Sequence, residues 1–136
     1  MSSFTFSHRV RYQETDAQTF VFNSRYLEWA DTAMVEFFRD LGWTYPEMDA
    51  AGFDPSLVTT TMTFKKPARF DDLIDVEVEC TAVGNSSFEL RFLITRDQDL
   101  ICEITTTYVN VDVTAERSTP IPAPIAVALQ RFAAAD

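Results

Sequence analysis

The chain has 136 residues, 46% of them hydrophobic and 24% charged, which fits a single globular domain over 1–136 and leaves no room for a second of ordinary size. Eleven basic against 21 acidic residues give a net charge of -10, a balance that repels a phosphate backbone or an anionic bilayer and argues against nucleic-acid and membrane-surface partners. A small phosphorylated ligand is still admitted, because it needs only a local basic patch, and the only lysines, Lys65 and Lys66, are adjacent.

Residues 4–12 alternate, with Phe4, Phe6, His8, Val10 and Tyr12 on one face and Thr5, Ser7, Arg9 and Arg11 on the other, the pattern of a half-buried strand. His8 shares the apolar face and reads as a satisfied core or interface histidine without a catalytic role. Over 24–41 the residues Tyr26, Trp29, Ala30, Ala33, Met34, Phe37, Phe38 and Leu41 recur at three- and four-residue spacings, which predicts the longest helix. Asn23 or Ser24 is expected to cap its start, and Gly42 to end it. A short helix is expected over 46–51, followed by Gly52.

The remainder reads as a meander. A strand over 58–66 runs to Pro67, and 74–82 alternates with Ile74, Val76, Val78 and Cys80 on one face. Gly84-Asn85 supplies a turn; Phe88, Leu90, Phe92 and Ile94 define the next strand; and Asp97-Gln98-Asp99 turns into a strand over 100–113. These three strands are expected to be antiparallel neighbours. Residues 118–124 hold three prolines and should be irregular before a short helix over 125–135. One long early helix followed by long one-sided strands predicts an α+β class, a curved sheet wrapped over a helix.

One histidine, three glycines and two widely separated cysteines leave no metal-ligand cluster, no Ser-His-Asp relay and no Gly-rich phosphate loop. No metal or redox cofactor is expected. Nothing at the N-terminus pairs a basic with an apolar region, and no apolar run reaches about eighteen residues, so a cytoplasmic address with reduced thiols is expected. Chemistry must rest on carboxylates, hydroxyls and backbone amides. Residues 12–29 are the place for it, since a strand ends, Asp16 follows, and an apolar loop leads into a helix whose first amides carry partial positive charge. Those amides near Asn23 and Ser24 could polarise a carbonyl that Asp16 approaches. An Asp ahead of a helix is more often an Asx-turn or capping residue. Glu14 is the competing carboxylate, read as a solvated strand end.

The stretch from Tyr12 to Asp31 resembles the signature of the hotdog-fold acyl-CoA thioesterases of the 4-hydroxybenzoyl-CoA thioesterase family, in which an Asp is followed ten residues later by a Tyr opening a Y-L-x-W-like segment, as Asp16 and Tyr26 are here. The resemblance continues through Lys66-Pro67-Ala68-Arg69-Phe70-Asp71-Asp72, Val83-Gly84-Asn85-Ser86-Ser87-Phe88-Glu89-Leu90 and Val109-Asn110-Val111-Asp112. It departs at Thr19 and Phe20, where many relatives have Gly and then His or an apolar residue; Asn23 matches the second Asn of an H-V-N-N variant, and Phe22 replaces the first.

The resemblance implies a hotdog fold, with five or six antiparallel strands around the long helix, in homodimers that often form homotetramers with active sites at the dimer interface. It places Asp16 as nucleophile or general base and the amides at or near Asn23 as oxyanion hole. Phe20, Phe22 and Tyr26 would line the acyl pocket, and Ser87 would face the thioester. Lys65, Lys66, Arg69 and Arg117, all at or beyond strand ends, could reach the phosphates of coenzyme A, which enters as part of the substrate and not as a cofactor. The leading reading is an acyl-CoA thioesterase acting on an acyl or aryl ester. The alternatives are a carrier-protein thioesterase, against which the net charge argues modestly, and a non-catalytic acyl-binding module that kept the fold after the change at Thr19. A hotdog dehydratase is disfavoured because His8 lies on the preceding strand, outside the loop.

Overall fold

The structure is a computed structural model and describes residues 2–134. Strand β1 spans Phe4–Arg9, helix α1 Asn23–Asp40, helix α2 Tyr45–Ala50, strand β2 Pro55–Phe64, β3 Leu73–Val83, β4 Ser87–Arg96, β5 Asp99–Asp112, a two-residue β6 Arg117–Ser118, and helix α3 Ala123–Ala134. Five strands form an antiparallel sheet in the order β1-β3-β4-β5-β2, and β6 pairs with the end of β5. The expected neighbours β3, β4 and β5 are consecutive, with β1 and β2 at the two edges.

Period two decides which face is buried. Ile74, Val76, Val78 and Cys80 of β3 oppose Leu90, Phe92 and Ile94 of β4, which oppose Cys102, Ile104 and Thr106 of β5; all are fully buried. The sheet curls around α1, whose stripe of Tyr26, Trp29, Ala30, Ala33, Phe37 and Phe38 is buried against it. Ala30 and Ala33 let the helix axis come close while Phe37 and Phe38 fill the flanks, Phe38 against Phe53 and Phe88. The helix α3 closes one side of β3 with Ile125 and Leu129 fully buried. This is the hotdog arrangement that the resemblance implies. Asp97 and Gln98 have φ of +51° and +70°, both positive as a two-residue hairpin turn demands, and join β4 to β5 with Arg96 opposite Asp99.

Four local expectations are corrected. The strand β1 stops at Arg9 and a 3-10 turn follows over Tyr12–Glu14. Tyr12 therefore leaves the buried face and is 76% exposed, because a three-residue period rotates it away from the strand's register. The cap of α1 is Phe22, which has no side-chain acceptor, so neither Asn23 nor Ser24 caps the helix. Glu14 is buried, not solvated. The expected short helix starts one residue earlier, at Tyr45, where Thr44 and Glu47 form a reciprocal capping box. The expected last residue of the C-terminal helix, Ala135, lies outside the described residues.

Candidate active site

Residues 14–22 form a small hairpin between the 3-10 turn and α1. Its stem is closed by the Phe22 amide donating to the Glu14 carbonyl at 2.9 Å and by pairing of Thr15 with Val21. At its tip the Asp16 amide donates to the Phe20 carbonyl, and the Thr19 amide to the Asp16 carbonyl, each at 2.9 Å. This is a three-residue loop in which the residue before the returning strand must adopt the left-handed conformation. That residue is Thr19, at φ +69°. The glycine found there in the family that the sequence resembles is thus explained by backbone conformation, and Thr19 accepts the same path at a cost.

Asp16 is half-buried. One carboxylate oxygen, Oδ1, accepts the Gln18 amide at 2.8 Å, so the Asx-turn expected of such a residue is present. No bond to the other oxygen, Oδ2, is formed among the described residues. Asp16 lies on a cleft of about 410 Å³ lined by Gln18, Phe20, Phe22, Asn23 and Tyr26 on one side and Phe64, Lys65, Lys66 and Pro67 on the other. The cleft contains the start of α1. With Phe22 at the cap and no acidic residue in the first turn, no side chain among the described residues caps the leading amides, which carry partial positive charge.

The opposite wall is built by the segment after β2. The Val21 amide donates to the Ala68 carbonyl at 2.8 Å, and the Ala68 amide donates to the Tyr26 hydroxyl at 3.1 Å. Tyr26 is 2% exposed, and burial, partly offset by the Ala68 amide, raises its hydroxyl above the ordinary tyrosine range. Its ring meets Trp29 and Phe64 edge-on. The segment is held from behind by Arg96, which donates to the Pro67 carbonyl at 3.0 Å and to Asp72 Oδ2 at 2.6 Å, while Asp72 also accepts the Arg69 amide. Arg69 pairs across to Phe20 through the backbone, and its guanidinium lies 4.9 Å from the centre of the Phe20 ring.

The structure therefore brings together Asp16, Phe20, Phe22, Asn23, Tyr26, Lys65, Lys66 and Arg69. Lys66 faces Asp99 at 3.3 Å, both exposed; Lys65 and Arg69 have no carboxylate within 4 Å among the described residues. Ser87 and Arg117 are elsewhere. Ser87 pairs with Val109 and Arg117 with Asp112, at the far end of the sheet, whereas Lys65 sits beside Ile101. Seven residues of strand separate Ser87 from Ile94, which puts it about 23 Å from the cleft end.

Sequence reasoning weighed Glu14 and misplaced it. It is 8% exposed, with Oε1 accepting the Arg11 amide at 2.7 Å and meeting His8 Nε2 at 3.0 Å, while Oε2 accepts Trp29 Nε1 at 2.6 Å. Burial works to raise its pKa, but the Arg11 amide, His8 and Trp29 together outweigh it and hold the carboxyl below its ordinary value. A buried indole N–H needs an acceptor, and Trp29 on the core stripe of α1 was the available signal.

The family model for the thioesterase-like superfamily matches residues 10–129. The acyl-CoA thioesterase YbgC of Haemophilus influenzae is 25% identical over 132 residues, covering 96% of this chain and 97% of that protein. Among solved structures, protein TT1821 from Thermus thermophilus superposes with a TM-score of 0.88 at 28% identity, covering 96% and 97% of the two chains. Protein AQ1494 from Aquifex aeolicus does so with a TM-score of 0.87 at 25% identity, over 93% and 98%. With the hotdog sheet, the hairpin carrying Asp16 and a family match spanning both, the chain belongs to the thioesterase-like superfamily.

Proposed function

We propose that this protein hydrolyses the thioester of an acyl- or aryl-coenzyme A to the free acid and coenzyme A, with Asp16 as the reactive carboxylate. The observation that carries the reading is the placement of Asp16 and the uncapped start of α1 on one cleft. The thioester oxygen would sit at the amides of Asn23 and Ser24, where negative charge develops as the carbonyl carbon becomes tetrahedral. Asp16 either attacks that carbon, giving an acyl-aspartyl anhydride that water then cleaves, or takes a proton from water as the hydroxide adds. In both routes the C–S bond breaks, the thiolate leaves and is protonated, and the acid leaves the cleft. Phe20, Phe22, Phe64 and Tyr26 offer the acyl group an aromatic lining, and Lys65 and Lys66 on the wall, with Arg69 stacked on Phe20, offer the nucleotide phosphates basic groups.

Two features favour this over the alternatives. A net charge of -10 opposes an acidic carrier protein, whereas Lys65 and Lys66 on the cleft wall, with Arg69 beside Phe20, suit a small polyphosphate. Thr19 follows the same backbone path as a glycine would, which weakens the case for a binding-only module. Assembly into a homodimer through β2 is part of the same proposal. That edge strand runs for ten residues without a charged side chain, Leu57 and Val58 are 43% and 59% exposed, and no strand among the described residues pairs with its free edge. Antiparallel pairing of two β2 strands about a twofold axis would carry the Ser87 and Arg117 end of one protomer toward the Asp16 end of its partner. Pairing of dimers into a homotetramer follows from the resemblance. No described helix is long and apolar enough to cross a membrane. Both cysteines are free and buried, which supports the expected cytoplasmic address.

The test is thiol release from short, medium, long and aryl acyl-CoA esters by the wild type and by Asp16→Asn of confirmed fold. Turnover that collapses in the variant is expected; a fully active variant removes Asp16 from the chemistry, and a silent wild type removes the hydrolase reading. Single turnover in heavy-oxygen water separates the routes, since label retained in the Asp16 peptide reports direct attack. For assembly, Thr61→Lys in the middle of β2 is expected to shift the light-scattering mass from dimer to monomer.

A further inference from the structure

Glu14 is joined to both halves of the catalytic constellation by bonds of different kinds. Its backbone carbonyl accepts the amide of Phe22, the cap of α1, and so fixes where the helix amides begin. Two residues further along the same hairpin arm is Asp16. The Glu14 side chain reaches into the core and is held from three elements: by His8 on β1, by the Arg11 amide before the 3-10 turn, and by Trp29 on the second turn of α1. The His8 and Trp29 rings pack at 5.2 Å, so these two donors are themselves fixed relative to one another. From Trp29 the contacts continue through Tyr26 to the Ala68 amide, and from the Ala68 carbonyl back to Val21, closing a ring around the cleft. All these donors converge on an ionised acceptor in a water-poor site, where charge-assisted bonds are short and strong.

We propose that Glu14 is a positioning residue for the reaction: its buried carboxylate, held by His8, Trp29 and the Arg11 amide, sets the separation between the Asp16 carboxylate and the amides at the start of α1. The inference rests on the reading of Asp16 as the reactive group. A neutral amide of the same shape cannot replace Glu14, because an amide NH₂ would face one of the N–H donors and leave it unsatisfied. The hairpin then loses its anchor while the β3–β4–β5 ladder, to which Glu14 makes no hydrogen bond, keeps its packing. Misplacement of about 1 Å in a reacting group is enough for losses near a hundredfold.

The experiment compares the wild type, Glu14→Gln and Trp29→Phe, the last removing one donor and keeping an aromatic ring. Two readings are taken on each: kcat and KM for the best acyl-CoA ester, and amide hydrogen exchange residue by residue. In Glu14→Gln, kcat is expected to fall by about a hundredfold with little change in KM. Exchange is expected to accelerate at the amides of Asp16, Thr19 and Phe22 and to stay unchanged along the β3–β4 ladder. Trp29→Phe should move both readings the same way by less. A merely structural role would accelerate exchange across the sheet and leave kcat per folded molecule unaltered, and either of those results overturns the proposal. Normal exchange at the hairpin amides in Glu14→Gln overturns it equally. If the wild type releases no thiol at all, the hydrolase reading fails by itself, and the exchange data still decide whether Glu14 governs the hairpin.

Discussion

Thr19→Gly is expected to stabilise the protein. Thr19 holds φ at +69°, where a β-branched L-residue crowds its own backbone, at a cost of about 1–2 kcal/mol relative to glycine's freedom there. Its side chain is exposed and its hydroxyl makes no hydrogen bond among the described residues, so little is lost on removal. Glycine gives back part of the gain, about 0.5 kcal/mol, through the larger entropy of the unfolded chain. The balance is about 1 kcal/mol in favour of the variant, which for a chain of this size raises the melting midpoint by about 4 °C. Urea and thermal unfolding at one fixed protomer concentration measure it, because any dimer makes the midpoint depend on concentration. Thr19→Ala serves as the control: it relieves the β-branch and keeps the Cβ, so it should gain less than half as much. A glycine variant no more stable than wild type, or an alanine variant that gains equally, refutes the claim that the backbone conformation carries the strain.

Two tyrosines buried to the same degree are expected to respond oppositely to loss of the hydroxyl. Tyr26→Phe strands the buried Ala68 amide and should cost about 1–3 kcal/mol, while Tyr108→Phe removes a hydroxyl with no hydrogen-bond partner among the described residues and should be neutral or stabilising, as urea midpoints will show. Burial pushes the Cys80 thiol up to about 11 and the Cys102 thiol up to about 12, so at pH 8 neither is nucleophilic. A thiol reagent added to native protein should therefore titrate no cysteine, against two in denaturant, which also leaves a thiol-release assay free of background. Replacing Lys65, Lys66 and Arg69 together by Gln is expected to raise KM for acyl-CoA about tenfold at low salt and to flatten its salt dependence, measured by initial rates across ionic strength; an unchanged KM removes these cations from phosphate binding.

Strand faces were legible because period two reports burial directly: Ile74, Val76 and Val78 needed only their spacing to be placed in the core. The turn-linked neighbours β3, β4 and β5 were legible as well, but the two edge pairings were not, because spacing carries no pairing information between strands far apart in sequence. That β2 lies beside β5, and β1 beside β3, depends on how the sheet curls around α1. The same limit explains Ser87 and Arg117, whose turn and strand-end chemistry was readable while their distance from Asp16 depends on register. Phe22 at the cap of α1 runs against the residue preferences that made Asn23 and Ser24 the expected caps. A helix start left without a polar cap contradicts local preference, and such conflicts concentrate where a ligand is to be bound.

Two carboxylates stand two residues apart, and their surroundings divide the work between them. Glu14 has lone pairs on both oxygens committed, to the Arg11 amide and His8 on one and to Trp29 on the other, inside a core that excludes an incoming carbonyl. To act as a nucleophile it would have to break charge-assisted bonds to His8 and the Arg11 amide and leave the buried Trp29 N–H unpaired. Asp16 spends one lone pair on the Gln18 amide and, among the described residues, keeps Oδ2 uncommitted at the wall of an open cleft beside amides that no described side chain caps. The sequence spacing makes the two look interchangeable; the 3-10 turn separates them by turning one side chain inward and leaving the hairpin to carry the other out to the cleft. Loss of either carboxylate should therefore lower turnover for different reasons: in Asp16→Asn the reactive group is gone and turnover collapses, whereas in Glu14→Gln the hairpin loosens and kcat falls by about a hundredfold.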